Sequence, residues 1–319
     1  MSQARQELPI LTTHNQRHPQ RMLRRTVNID GTQSRWRMSS NDSGPKAFSA
    51  RHFRQERFLC RMTGIKLVLM ISPPFELLCE MGPCLVIRKP AGLLTQAPPG
   101  IDSLESRIKA WIKERDQKPG NVYLGVPHRL DRPVSGAMIF ARHARAARRL
   151  SEQFEGRLIR KIYWACVSGV VEPDEGTWVD HVRKVPGEPR AELVADDHSE
   201  GRRAVLHYKV RARAEWGTWL EIELETGRTH QVRIQSSARG HAVLGDALYG
   251  STVPFGVQHE DERLRAIALH GRSITFRHPM TQEMVSIAAE VTDQWPAEVL
   301  AAQAAAAAGP NAANLPGPA

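Results

Sequence analysis

Cysteine is scarce in this chain: Cys60, Cys79, Cys84 and Cys166 are the four in 319 residues, and none stands at a paired metal-ligand spacing. The 13 histidines include no His-Glu-x-x-His and no clustered Cys/His pattern, which leaves them to surface and core positions and predicts no bound metal. No apolar run is long enough to cross a bilayer and no secretory signal pattern is present, so the reading is a reducing cytoplasm and no membrane association. A fixed internal repeat is missing too. The apolar runs do not alternate regularly between strand and helix periods. That argues against a doubly wound parallel sheet and for a mixed, largely antiparallel α+β arrangement.

What is present is a hydrophobic content of 41%, enough for a packed core, and a net charge of +10 with a pI near 9.8. The charge is unevenly spread. Residues 1–72 hold 13 Lys and Arg against 4 Asp and Glu, which places +9 there and leaves only +1 for the remainder. A polyanion bound by the folded body must therefore meet a local basic face. Residues 1–72 lack sustained apolar periodicity and read as a disordered basic arm, or as a start assigned upstream of the true one near Met62 or Met70. From Ala301 an alanine run broken by Gly309, Pro310, Pro316 and Pro318 reads as at most a frayed helix turn and then coil. One folded region is expected, residues 73–300.

Within it, "CLVIRKPAGLL" from Cys84 reads as a buried strand ending at Lys89-Pro90 with a turn at Gly92, and "GAMIFAR" as another strand. Ala144, Ala147, Leu150, Phe154 and Leu158 recur at helical spacing and predict a helix that ends in the basic "RLIRK". "IYWACVSG" returns as a strand, and "TWLEIELETG" alternates as a half-buried one. Thr229 is placed to cap a following helix with Arg233 in its first turn. The stretch "VRKVPGEPRAELVADDHSEGRRAV" from Val182 is basic, acidic, then basic, and reads either as a substrate-selecting loop or as a solvated hairpin.

The most informative stretch is "HRLDRPVSG", residues 128–136. Asp131 lies between Arg129 and Arg132, as either a surface ion pair or a charge held for chemistry. Pro133 restricts Arg132 and fixes the chain beyond Asp131, while Gly136 permits close backbone approach. Asp131 and Arg233 would make a natural buried pair.

Together "HRLDRPVSG", "KIYWACVSG", "TGRTHQVRIQ", "GHAVLGDALYG" and "LHGRSITFRHP", in this order over about residues 75–296, resemble the motifs of RluA-type RNA pseudouridine synthases. The resemblance implies a mixed, curved sheet with flanking helices around a central RNA-binding cleft, a uridine flipped out of its RNA, and an isomerisation without cofactor or metal. It implies that Asp131 attacks the sugar or the ring, or removes a sugar proton, and that Arg233 keeps it ionised. Tyr163 matches the aromatic that stacks on the target base, Arg129 an arginine that approaches the vacated base position, and Leu269 a residue packed beneath the base. The partner expected is RNA, ribosomal more than transfer RNA, and the protein is expected to act as a monomer. His128, Arg228, His230, Asp246 and Tyr249 read as supports that hold Asp131 and Arg233 in register. Two positions depart from the pattern: Gln235 where many relatives have histidine, and Val134 where threonine is frequent. A catalytically silent RNA-binding or ribosome-assembly protein would be expected to lose Asp131, Tyr163 or Arg233, and all three are present. A glycosidase would need a second carboxylate, and the motifs supply only Asp131.

Overall fold

The computed structural model describes residues 72–308. The arm expected over residues 1–72 and the tail beyond 308 lie outside that range, apart from its edge.

Among the described residues ten strands share one sheet. Its path begins with β1 (Glu76–Met81), β2 (Cys84–Lys89) and β3 (Ser135–Ala141), then passes to β9 (Leu269–Arg277). It continues through β4 (Arg160–Val167), β8 (Gly217–Leu224), β7 (Arg202–Ala214), β5 (Glu175–Lys184) and β6 (Ala191–Val194). Every pairing is antiparallel except that of β3 with β9, which consists of Ser135 with His270 and Gly136 with Gly271. β10 (Met284–Ala288) pairs with β9 from Ser273 to Arg277, so the sheet forks at β9. The mixed, largely antiparallel α+β arrangement is thus observed.

Local sequence explains the strands. β2 is apolar from Cys84 to Ile87 and buried except at Arg88, and it closes on the buried Lys89. In β8, Trp219, Ile222 and Leu224 are buried while Glu221 and Glu223 are half-buried and meet Arg211 and Arg160. The helices are α1 (Leu104–Arg115), α2 (Ala144–Glu155), α3 (Gln231–Ser237) and α4 (Ala297–Ala308). α2 covers a small core with Ile139, Leu150, Ile274 and Phe276; the larger core, with Leu85, Phe140, Trp164 and Trp219, extends to Val299 of α4.

Three expectations need correction. α2 stops at Glu155, because Gly156 follows and Arg157 takes a left-handed backbone (φ 56°), which leaves Leu158 exposed rather than on the helix face. Thr229 does not cap α3. His230 occupies that position at φ 53° without a side-chain cap, and the preceding turn is tied instead by Gln231, whose Oε1 accepts from Thr226 Oγ1 (2.8 Å) and Arg228 N (3.0 Å). The alanine run is ordered as helix to Ala308: Val299 is fully buried, Leu300 and Ala302 pack on the core, and Gln303 Oε1 accepts from Val291 N (2.7 Å). Alanine's high helix propensity then needs only that small apolar stripe.

The charged stretch from Val182 is a hairpin of β5 and β6, with Arg183 paired to Glu192 and Glu200, and Arg190 to Glu188.

Candidate active site

Asp131 lies in the loop that leads into β3, and the backbone on both sides of it is pinned. Thr95 Oγ1 donates to Leu130 O (2.8 Å) just before it. Just after it, Gly92 N donates to Arg132 O (2.8 Å) and Arg132 Nε to Gly92 O (2.9 Å). Beneath both runs Lys89, wholly buried at the end of β2, whose Nζ donates to Pro90 O (2.9 Å), Leu93 O (2.6 Å) and Arg132 O (3.1 Å). Burial pushes this ammonium down to about 7, against the pull of Asp131. A few residues on, Gly136 passes so close to β9 that a Cβ there would lie 2.4 Å from Gly271 N.

The Asp131 carboxylate, 27% exposed, accepts from Arg233 Nη1 at 3.3 Å. Arg233 is buried, and its principal partner is Asp246: Nε to Oδ2 at 2.6 Å and Nη2 to Oδ1 at 2.8 Å, a bidentate pair. Burial works against the guanidinium charge, but the hydrogen bonds and fields of Asp246 and Asp131 outweigh it and hold Arg233 above the usual arginine range. Two carboxylates against one guanidinium leave the trio net negative, and Asp131 is the exposed member. The guanidinium also lies 4.9 Å over the Tyr249 ring.

A neutral chain supports the same carboxylate. His230 Nε2 stands 3.6 Å from Asp131 Oδ2, and its Nδ1 is 2.8 Å from Tyr249 Oη, which accepts from Ala191 N in β6 (2.8 Å). Burial lowers the His230 pKa; Asp131 opposes this, and Arg233 adds to it. His128 stacks on Phe154 with centroids 4.6 Å apart and accepts from Ile139 N (3.0 Å), and burial pushes it down to about 3, so its ring is neutral.

A cavity of about 530 Å³ opens beside Asp131, and Arg129, Tyr163, Arg233 and Leu269 line it with Asp131. The five residues singled out from sequence therefore meet in one place. Tyr163 sits on β4 at a bulge, opposite Gly271, half-buried, with its phenol pushed up by burial and by Asp131. Leu269, buried, opens β9, while Arg129 is exposed and makes no hydrogen bond among the described residues. A second cavity of about 870 Å³ adjoins across Asp131, Arg129, His230 and Arg233. Sequence reading missed Lys89 and Lys161. A lysine closing an otherwise apolar strand just before proline was the available signal for Lys89. Gln235 is buried, with Nε2 donating to Asp180 Oδ2 (2.6 Å) and Oε1 without a partner among the described residues.

The family model described as RNA pseudouridylate synthase matches residues 83–238. An uncharacterized RNA pseudouridine synthase of Synechocystis is 31% identical over 245 residues, covering 73% of each chain. One of Zymomonas mobilis is 35% identical over 207 residues, 62% of this chain and 88% of that one. The ribosomal large subunit pseudouridine synthase D of Xanthomonas campestris is 34% identical over 227 residues, 69% of this chain and 67% of that one. The solved structure of human RNA pseudouridylate synthase domain containing 4 shares the fold, with a TM-score of 0.56 at 20% identity over 68% of this chain and 89% of the human one.

Proposed function

This chain belongs to the RNA pseudouridine synthases, isomerases that act on RNA, and from that premise we propose that Asp131 carries the reaction on a uridine flipped into the cavity beside it. The observation that supports this reading is the single exposed carboxylate of the Asp131, Arg233 and Asp246 trio, standing in the cavity wall with Tyr163. The rearrangement breaks N1–C1′, forms C5–C1′, removes a proton from C5 and returns one to N1. It is redox-neutral, so neither metal nor cofactor is required. An ionised carboxylate serves each of the three starts open to Asp131: attack on the sugar, attack on the ring, or removal of a sugar proton.

In this reading Tyr163 stacks on the base, Leu269 packs beneath it, and Arg129, exposed at the rim, occupies the space the base leaves. A site of about 530 Å³ is in the range for a small-molecule pocket and takes one nucleoside. Ribosomal RNA is the favoured target, because relatives such as that of Xanthomonas are named for the large subunit. The enzyme is proposed to work as a cytoplasmic monomer.

Asp131→Asn should abolish isomerisation while RNA affinity changes by less than about tenfold, because backbone contacts dominate binding. Pseudouridine-specific sequencing of RNA from a deletion strain complemented with each variant checks this and identifies the target; modification restored by Asp131→Asn would sink the assignment. Tyr163→Phe should keep partial turnover and Tyr163→Ala lose most of it, since stacking needs the ring more than the hydroxyl. Equal losses in single-turnover assays would move the role to the phenol.

A further inference from the structure

A folded body with almost no net charge can hold RNA only through a local excess of cations, and the structure contains one around the turn after β8. Arg157, Lys161, Arg202, Arg203 and Arg228 come from four separate segments: Arg157 and Arg203 share one carboxylate, Glu225, the charges of Arg157 and Arg202 act on Arg228, and Lys161 lines the same cavity as Glu225 and Arg228. Arg157 Nη1 is 3.1 Å and Arg203 Nη1 3.6 Å from the same Glu225 oxygen. Arg228 spends its Nε on Arg203 O (3.0 Å), and both of its Nη groups make no hydrogen bond among the described residues. Lys161 is half-buried and lines the Asp131 cavity, its Nζ 3.5 Å from where a Cβ on Gly227 would stand, with no hydrogen bond or ion pair among the described residues. Glu155 lines the cavity from the exposed end of α2 and makes no ion pair with this group.

A half-buried ammonium without a partner is costly, and mutually repelling guanidinium groups add to the cost. Burial, then Arg157 and Arg202, lower the Arg228 pKa; burial lowers that of Lys161. An anion that reaches all of them at once removes the penalty. Arg157, Lys161 and Arg228 line the cavity that holds Asp131, while Arg202 and Arg203 are exposed outside it, so the cations lead from cavity to surface as a strand of phosphates would. We propose that Arg157, Lys161, Arg202 and Arg228 form a phosphodiester-binding site for the RNA strand that delivers its uridine to the cavity, a proposal that rests on the isomerase reading above.

The test is binding of a fluorescein-labelled oligouridylate of about 12 nucleotides to the full-length protein, by anisotropy, between about 50 and 200 mM salt. Substituting Arg157→Gln, Lys161→Gln and Arg228→Gln together should make the logarithmic salt slope shallower by about 2, at about 0.7 per phosphate contact on single strands, and weaken binding at least tenfold in low salt. An equal charge change elsewhere, Lys113→Gln with Lys118→Gln and Lys209→Gln, should alter the slope by less than half as much. If the triple variant does not fold by circular dichroism, Arg202→Gln with Arg228→Gln takes its place, with an expected change of about 1.4. An unchanged slope, or the same change in the remote triple, overturns the proposal. So does displacement of the oligonucleotide by inorganic phosphate far beyond chloride at equal ionic strength, which would mark a site for small free anions. The readout is binding without turnover, so its failure leaves the role of Asp131 to its own experiment.

Discussion

Arg233 divides its guanidinium unequally, giving two nitrogens to Asp246 and one to Asp131. The buried bidentate pair fixes the plane of the fork, and the remaining nitrogen then reaches Asp131 from a set direction. Arg233→Lys keeps the charge and loses that geometry. Turnover should fall at least a hundredfold, about 3 kcal/mol of transition-state stabilisation, with a native circular dichroism spectrum. Asp246→Asn should be worse for the fold, costing about 3–5 kcal/mol because a buried guanidinium loses its main counter-charge. Chemical denaturation separates the two effects; wild-type turnover in Arg233→Lys would remove Arg233 from the proposed site. The pairing of Asp131 with Arg233 was legible from the motifs, whereas the dominance of Asp246 was not, because nothing in a sequence ranks two carboxylates competing for one fork.

At the level of elements, the parallel contact of β3 with β9 positions Asp131, and it consists of two residue pairs. Gly136 makes it possible, with φ 135° and no space for a side chain against Gly271. Gly136→Ala should cost about 3 kcal/mol or more and abolish activity by pushing the strands apart. Gly187→Ala, also at positive φ but with open space around it, should cost about 1 kcal/mol and leave turnover intact. Differential scanning calorimetry with a turnover assay checks the pair, and comparable losses in both would show that backbone conformation rather than strand approach matters. β2, β3 and β4 were legible as short, nearly continuous apolar runs, and β8 by the alternation of its second half. The ends of α2 and α3 were not. Arg157 and His230 adopt left-handed backbone that their side chains do not announce, and tertiary contacts impose it. α4 was hidden for the opposite reason, since an alanine run gives no amphipathic signal until Val299 finds a core.

For the molecule as a whole, His128 and His270 are both held neutral by burial, each pushed down to about 3 from an ordinary 6.5. Unfolded, they take up protons near 6.5, so stability is lost as pH falls from 6.5 toward 3. Lys89, lowered to about 7, acts with the same sign between about 7 and 10.5. Well below pH 6.5 the two histidines should together remove about 2.7 kcal/mol per pH unit, lowering the melting temperature by about 5–11 °C per unit. His270→Gln should flatten that dependence whatever it does to the melting temperature at pH 7; an unchanged slope would place the acid sensitivity elsewhere. The fork of the sheet at β9 bears on how the enzyme comes to be made. Ser135 and His270 are 135 residues apart in the chain, and Asp131 and Arg233 are 102 apart. Contacts of such separation close slowly and late. A nascent chain that has passed Arg228, just beyond β8, already carries the cations around Glu225, but lacks the strand that supplies Leu269 and receives Gly136. If those cations hold RNA as proposed, affinity for RNA matures before chemistry does, and a newly synthesised molecule is expected to pass through a stage in which it holds RNA without altering it.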